Sequence, residues 1–174
     1  MKNSNYIKKY ADFYLSKYLV TKKKFEDILK KKLSKDLFQK KISKEEYDMY
    51  LKNLNLEIDY YEKLGLFNEK ILIKNKVESY IKKGYSTKKI QYYLIQNKFC
   101  QTLIHNEIKK IQSDSELNEK IIKKFLEKKL NSLKYKKGKL SNTELYNKLK
   151  SDLIRNGFDY NDSKSILDQY FYNE

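Results

Sequence analysis

No proline occurs anywhere in the 174 residues, where average usage would give roughly nine. Proline removes a backbone donor and clashes with the preceding turn, so its absence leaves no imposed break in a helical ladder. The other common breaker, glycine, occurs four times, at Gly65, Gly84, Gly138 and Gly157. Each follows a stretch whose apolar residues recur at helical spacing. Glycine takes the left-handed conformation without a steric cost, so at these points it closes a helix. Lysine, glutamate, leucine and isoleucine are abundant between them, a mixture that favours helices. The chain reads as all-α, with about nine helices.

Residues 5–18 place Ile7, Tyr10, Ala11, Tyr14, Leu15 and Tyr18 on one face. Thr21 caps a second helix that turns Phe25, Ile28, Leu29 and Leu33 inward. A basic connector at Lys40 and Lys41 follows. Ser43 with Glu46 then reads as a capping box for a third helix, faced by Tyr47, Tyr50, Leu51, Leu54, Ile58 and Tyr61. Residues 66–99 form a helical hairpin. Ile73, Val77, Tyr80 and Ile81 share its first apolar face, Gly84 makes the turn, and Ser86 caps the second helix. Ile90, Tyr93 and Leu94 supply the second face, while Lys82, Lys83, Lys88 and Lys89 gather around the turn. A sixth helix at about 101–111 presents Ile104, Ile108 and Ile111. A seventh at about 116–135 carries Leu117, Ile121, Phe125, Leu126, Leu130 and Leu133, and Gly138 ends it. Ser141 with Glu144 repeats the capping box before an eighth helix lined by Leu145, Leu149 and Leu153. Gly157 stops it, and a ninth helix carries Ile166, Leu167, Tyr170 and Phe171.

Nine helices group into three units of three. Phe25, Ile90 and Leu149 each start an i, i+4 apolar step, and they lie 65 and 59 residues apart. Phe99 and Phe158 follow the second and third steps at matching places. A period near sixty suits a three-helix repeat in which each unit hides its face against a neighbour. The expected units are 1–65, 66–112 and 113–174.

The formal net charge is +16, and all but one of the 39 basic residues are lysine. Such a balance points to a polyanion, most directly nucleic acid. An A+T-rich genome would also inflate lysine, but it would do so evenly. Here the charge is segregated. Residues 70–98 sum to +7, 120–139 to +8 and 1–42 to +9, whereas 43–69 sum to −4 and 151–174 to −3. That pattern implies separate basic and acidic surfaces.

Catalytic chemistry has little material. Cys100 and His105 are the only residues of their kinds, five apart, which leaves no disulfide, no zinc cluster and no Cys–His pair; they read as a partly buried thiol and a surface imidazole. There is no phosphate-cradling glycine motif. The expectation is a protein that is not an enzyme and needs no cofactor. No apolar run reaches membrane-spanning length and the N-terminus has no signal-peptide apolar core, so a cytoplasmic location is expected. Seventeen tyrosines lie among the lysines. Tyr14, Tyr47 and Tyr61 fit helical core stripes, whereas Tyr85, Tyr92 and Tyr135 sit beside lysines or off the stripe, where a ring can stack on an unpaired base.

The run Leu-Gly-Leu-Phe-Asn-Glu at Leu64–Glu69, nineteen steps from Gly65 to Gly84, and then Gly-Tyr-Ser-Thr-Lys-Lys-Ile-x3-Leu resemble the RecX family of recombinase regulators. Ala11-x3-Leu15, a polar cap and Phe25-x3-Leu29 resemble the family's first repeat. Arg155-Asn156-Gly157-Phe158 sits where the family has an R-G-[FY] turn. The chain departs from the pattern at Asn68, in place of the first aspartate, and at Lys98, in place of the second-repeat glycine. Asn97 is expected to take the left-handed conformation there. The resemblance implies three tandem three-helix repeats in an elongated, curved body. It implies a monomer that binds along the RecA–DNA filament and modulates, usually inhibits, RecA's ATPase, strand exchange and coprotease activity. Its partners would be the RecA filament and single-stranded DNA, with double-stranded DNA as a second form. Lysines of 70–98 and 120–139 would then meet phosphates, and Lys82, Lys83, Lys88, Lys89 and Arg155 are the contact residues expected. The acidic stretches would meet basic recombinase surfaces. A helix-turn-helix protein acting on duplex DNA without RecA is the alternative, with Gln91 and Asn97 as its candidate base readers. A protein-only scaffold is the third.

Overall fold

The computed structural model describes residues 5–134 and 140–172. Among the described residues there are nine α-helices and no strand. They are α1 (Asn5–Lys17), α2 (Lys22–Phe38), α3 (Lys44–Lys63), α4 (Glu69–Lys82), α5 (Thr87–Gln96), α6 (Gln101–Ser113), α7 (Ser115–Lys134), α8 (Asn142–Arg155) and α9 (Tyr160–Tyr172). The all-helical expectation holds. The Gly138 stop and Tyr135 lie outside the described residues.

Sequence signals place the helix ends. Thr21 accepts from the Lys24 amide at 3.2 Å and caps α2. Ser43–Glu46 and Ser141–Glu144 form complete capping boxes at α3 and α8. Such caps satisfy amides that have no partner within the helix.

The chain divides into two compact units. One comprises Met1–Leu72 with Asn97–Phe99, the other Ile73–Gln96 with Cys100–Glu174. In the first, the i, i+4 ladder Phe25, Leu29 and Leu33 is fully buried. Leu54, Ile58 and Tyr61 of α3 and Ile7 and Ala11 of α1 join it in one core. Phe25 meets Tyr61 edge-on at 5.9 Å and Phe67 at 5.5 Å between ring centroids. The Tyr61 hydroxyl donates to Asp12 at 2.6 Å, and burial together with that carboxylate holds it well above the usual phenol range. Asp36 is also buried. Burial pushes its carboxyl up, but the Lys32 ammonium and the Tyr6 hydroxyl outweigh that and hold it below its ordinary range.

In the second unit, Ile73 and Val77 of α4 and Ile90 and Leu94 of α5 are buried. So are Ile104, Ile108 and Ile111 of α6, Ile121, Ile122 and Leu126 of α7, and Leu149 and Leu153 of α8. Phe125 and Phe158 pack at 5.1 Å. The six residues that set the sixty-residue period, Phe25, Leu29, Ile90, Leu94, Leu149 and Leu153, are all 0% exposed. Each such side chain contributes roughly 1.5–3 kcal/mol by leaving water.

Three local readings need correction. Tyr18 and Tyr170, assigned to apolar stripes by spacing, are 52% and 58% exposed; one lies just past α1 and the other in the last turn of α9, where periodicity does not guarantee a neighbour. Cys100 is exposed rather than partly buried, because it occupies the N-cap of α6, outside the helical stripe. The left-handed residue after α5 is Lys98, at φ 58°, and not Asn97. Its ammonium pairs with Asp27.

Gly84 and Gly65 separate two costs. Both have positive φ, +67° and +75°. A Cβ on Gly84 would lie 3.0 Å from the backbone nitrogen of Phe125, whereas one on Gly65 would meet nothing within 4 Å. Gly65→Ala should therefore lose only the left-handed penalty, about 1–2 kcal/mol. Gly84→Ala should lose that plus an overpacking cost, roughly 2–5 kcal/mol in total. Urea unfolding of the two variants checks the order; equal losses would mean that the Gly84–Phe125 approach is not tight.

Candidate nucleic-acid interface

The α4–α5 turn is fixed within the second unit by two contacts. At the first, Gly84 leaves no side chain between its own backbone and that of Phe125 in α7. One turn further along α7, the Lys128 ammonium donates to the carbonyl of Lys83 at 2.8 Å and reaches that of Lys82 at 3.5 Å. These are terminal carbonyls of α4, which have no partner within the helix and carry the negative end of its dipole. A cation satisfies both requirements.

At the second contact, Ser86 is 1% exposed and its hydroxyl works in two directions. It accepts from the Lys89 amide at 3.2 Å, capping α5, and donates to the carbonyl of Asn156 at the end of α8. Gly157 follows at φ +86°, and a Cβ there would lie 3.1 Å from Lys88 Cβ and 3.2 Å from Ser86 Oγ. The close approach of α8's last turn to α5's first turn therefore requires glycine. The first unit contains the same device. Thr21 caps α2 and donates at 2.9 Å to the carbonyl of Asn97, which precedes the left-handed Lys98.

These contacts bring the expected residues to one corner. Lys82 ends α4 and Lys83 follows it in the turn, Lys88 and Lys89 open α5, and Arg155 ends α8. Lys82, Lys83, Lys88 and Arg155 are exposed and Lys89 is half-buried. The Lys89 ammonium lies 3.5 Å from Asn156 Oδ1 and 4.5 Å from the Tyr85 ring centre. Lys124, Lys128 and Lys129 of α7 join them. The sequence marked 120–139 as basic but could not single out these three. Helical spacing identifies Lys128 as exposed; nothing local reveals that its partners are carbonyls some 45 residues upstream.

Only two carboxylates pair with this group among the described residues. Asp152 bonds Lys129 at 3.1 Å and Arg155 at 3.2 Å, and Glu127 bonds Lys124 at 3.2 Å. Arg155 is thus the most neutralised of the expected contacts. Cations from α4, α5, α7 and α8 exceed the carboxylates paired with them. Their fields add, and a polyanion is the natural counterpart.

Some basic residues of the first unit are paired as well. Lys22 bonds both Asp59 at 2.9 Å and Glu62 at 2.7 Å, Lys30 bonds Glu26, and Lys32 bonds Asp36. Two carboxylates of the acidic stretch 43–69 are thereby used inside their own unit. Among the described residues no group of His, Cys, Asp and Glu could hold a metal ion, and no helix is long and apolar enough to cross a membrane. Comparison with protein-family models, curated proteins and solved structures finds no match for this chain.

Ser86→Ala should remove the α5 cap and leave the half-buried Asn156 carbonyl without its donor. The expected loss is roughly 2–4 kcal/mol, combining a cap with an unsatisfied acceptor. The Lys89 amide should also exchange faster with solvent than in the parent. A loss below about 0.5 kcal/mol, the range of a neutral surface change, would show that the hydroxyl does not hold the corner.

Proposed function

We propose that the chain is a nucleic-acid-binding regulator that acts on a recombinase–DNA filament in the manner of the RecX family. The single observation that supports this most is the cationic corner built on the clamped α4–α5 turn. Its charges come from four helices, and their geometry is fixed by backbone contacts rather than by loops. Such a surface meets phosphates without reading bases, as a regulator of a filament on arbitrary DNA requires. The repeat arrangement is part of the proposal. It draws support from the recurrence of one device, a hydroxyl cap bonded to the carbonyl before a left-handed turn, at Thr21–Asn97 and Ser86–Asn156.

The helix-turn-helix alternative fits less well. A recognition helix presents its first residues to base edges in the major groove. Here the first turn of α5 is packed against the Asn156–Gly157 turn, so Ser86 and the base of Lys88 are already occupied. Gln91 is exposed, but it is the only Gln, Asn or Arg in the first half of α5. The acidic stretch 43–69 contributes less than its charge suggests, since Asp59 and Glu62 are bound to Lys22.

Titrating the protein into a RecA filament on single-stranded DNA should change the rate of ATP hydrolysis, with a fall expected. Lys82→Gln, Lys83→Gln and Lys88→Gln combined should require about tenfold more protein for the same effect, because three phosphate contacts are lost. The effect should weaken steeply as salt rises. Unchanged hydrolysis at saturating protein would reject filament regulation, and a sequence-specific footprint on duplex DNA without recombinase would favour the alternative.

A further inference from the structure

Beside the corner, four tyrosines of α4, the turn and α5 lie ring against ring. Tyr80 stacks on Tyr85 at 5.7 Å and 19°, and Tyr93 lies 5.5 Å from each at 33°. Tyr92 meets Tyr93 edge-on at 5.5 Å. This is unlike the aromatic core of the first unit, where Phe25 and Tyr61 are 0% and 2% exposed. Tyr80, Tyr85 and Tyr93 are only half-buried, and Tyr92 is 58% exposed. Two of the corner's lysines sit over the rings. Lys89 lies 4.5 Å above Tyr85 and Lys83 lies 5.9 Å from Tyr80. Burial, with the neighbouring Tyr93 and Tyr85, keeps the Tyr80 hydroxyl above its ordinary range, so it stays neutral and does not repel an anion.

We propose that Tyr80, Tyr85, Tyr92 and Tyr93, with Lys83 and Lys89, form a base-stacking site for unpaired nucleic acid. The inference rests on the function proposed above and names the form of ligand that this surface selects. A partly exposed cluster of rings with ammonium groups beside it favours a ligand that is planar and anionic at once. A single strand is both: its bases lie on the rings while the ammonium groups swing from the ring faces to its phosphates. A duplex keeps its base faces inside its own stack and offers only phosphates. An acidic peptide offers charge without planar faces. The site therefore prefers single strands to duplexes, and it does so without reading sequence, because every base has a π-face.

The test compares an oligothymidylate with an abasic deoxyribose oligomer of the same length, which carries the same phosphates and no bases. The parent protein should bind the oligothymidylate about tenfold more tightly at equal salt. Its intrinsic tyrosine fluorescence should be quenched by that oligomer and not by the abasic one. Tyr92→Leu should erase most of the preference while leaving affinity for the abasic oligomer unchanged, and Tyr92→Phe should retain it. Tyr92 is exposed, so neither variant disturbs the core. Equal affinity of the parent for both oligomers, or a preference that survives Tyr92→Leu, would overturn the stacking site while leaving the phosphate-binding surface intact. Failure to bind either oligomer would overturn both.

Discussion

The bond from the buried Ser86 hydroxyl to the Asn156 carbonyl is the constraint on which the basic corner depends. Helix ends carry backbone groups that the helix itself cannot satisfy. This one side chain satisfies an amide at the start of α5 and a carbonyl at the end of α8. It can reach both because Gly157 brings α8's last turn within side-chain contact of α5. Gly84 does the corresponding work against α7, and Lys128 fills the α4 carbonyls that remain. Positive charge thus has a structural role here as well as an interaction role. Lys128 helps hold the turn that presents Lys82 and Lys83.

The charge distribution gains meaning from its partners. By sequence, residues 1–42 are as basic as the corner. In the structure, lysines of that stretch are spent on Asp59, Glu62, Glu26 and Asp36. At the corner, Asp152 and Glu127 likewise pair with Lys124, Lys129 and Arg155. Exposed ion pairs add little stability, about 0–1 kcal/mol each, but they do cancel the field seen by a passing polyanion. Pairing does not separate the two regions; what marks the corner is the backbone clamp that fixes the α4–α5 turn.

Much of the fold was legible because its signals are local. Thr21, Ser43 and Ser141 announce helix starts, and Gly65, Gly84 and Gly157 announce ends, through chemistry confined to one turn. The i, i+4 ladders at Phe25, Ile90 and Leu149 mark the fully buried faces. What escaped was set by distant groups. Lys98 holds a left-handed conformation that composition assigned to Asn97, with Asp27 as its partner across 71 positions. At the site, the five expected cations follow from their place beside glycines. The contribution of Lys124, Lys128 and Lys129, and the burial of Ser86 against α8, depend on pairings that no short window contains. The tyrosines divide for a similar reason: Tyr61 finds Asp12, whereas Tyr92 finds solvent.

The most direct measurement is a map of backbone amide shifts on adding oligothymidylate at low salt. The shifts should concentrate at residues 82–93, 124–129 and 155–157, where the corner and its tyrosines lie. Shifts concentrated in α2, or none at all, would contradict the claim that a clamped helical turn, and not lysine content, makes the binding surface.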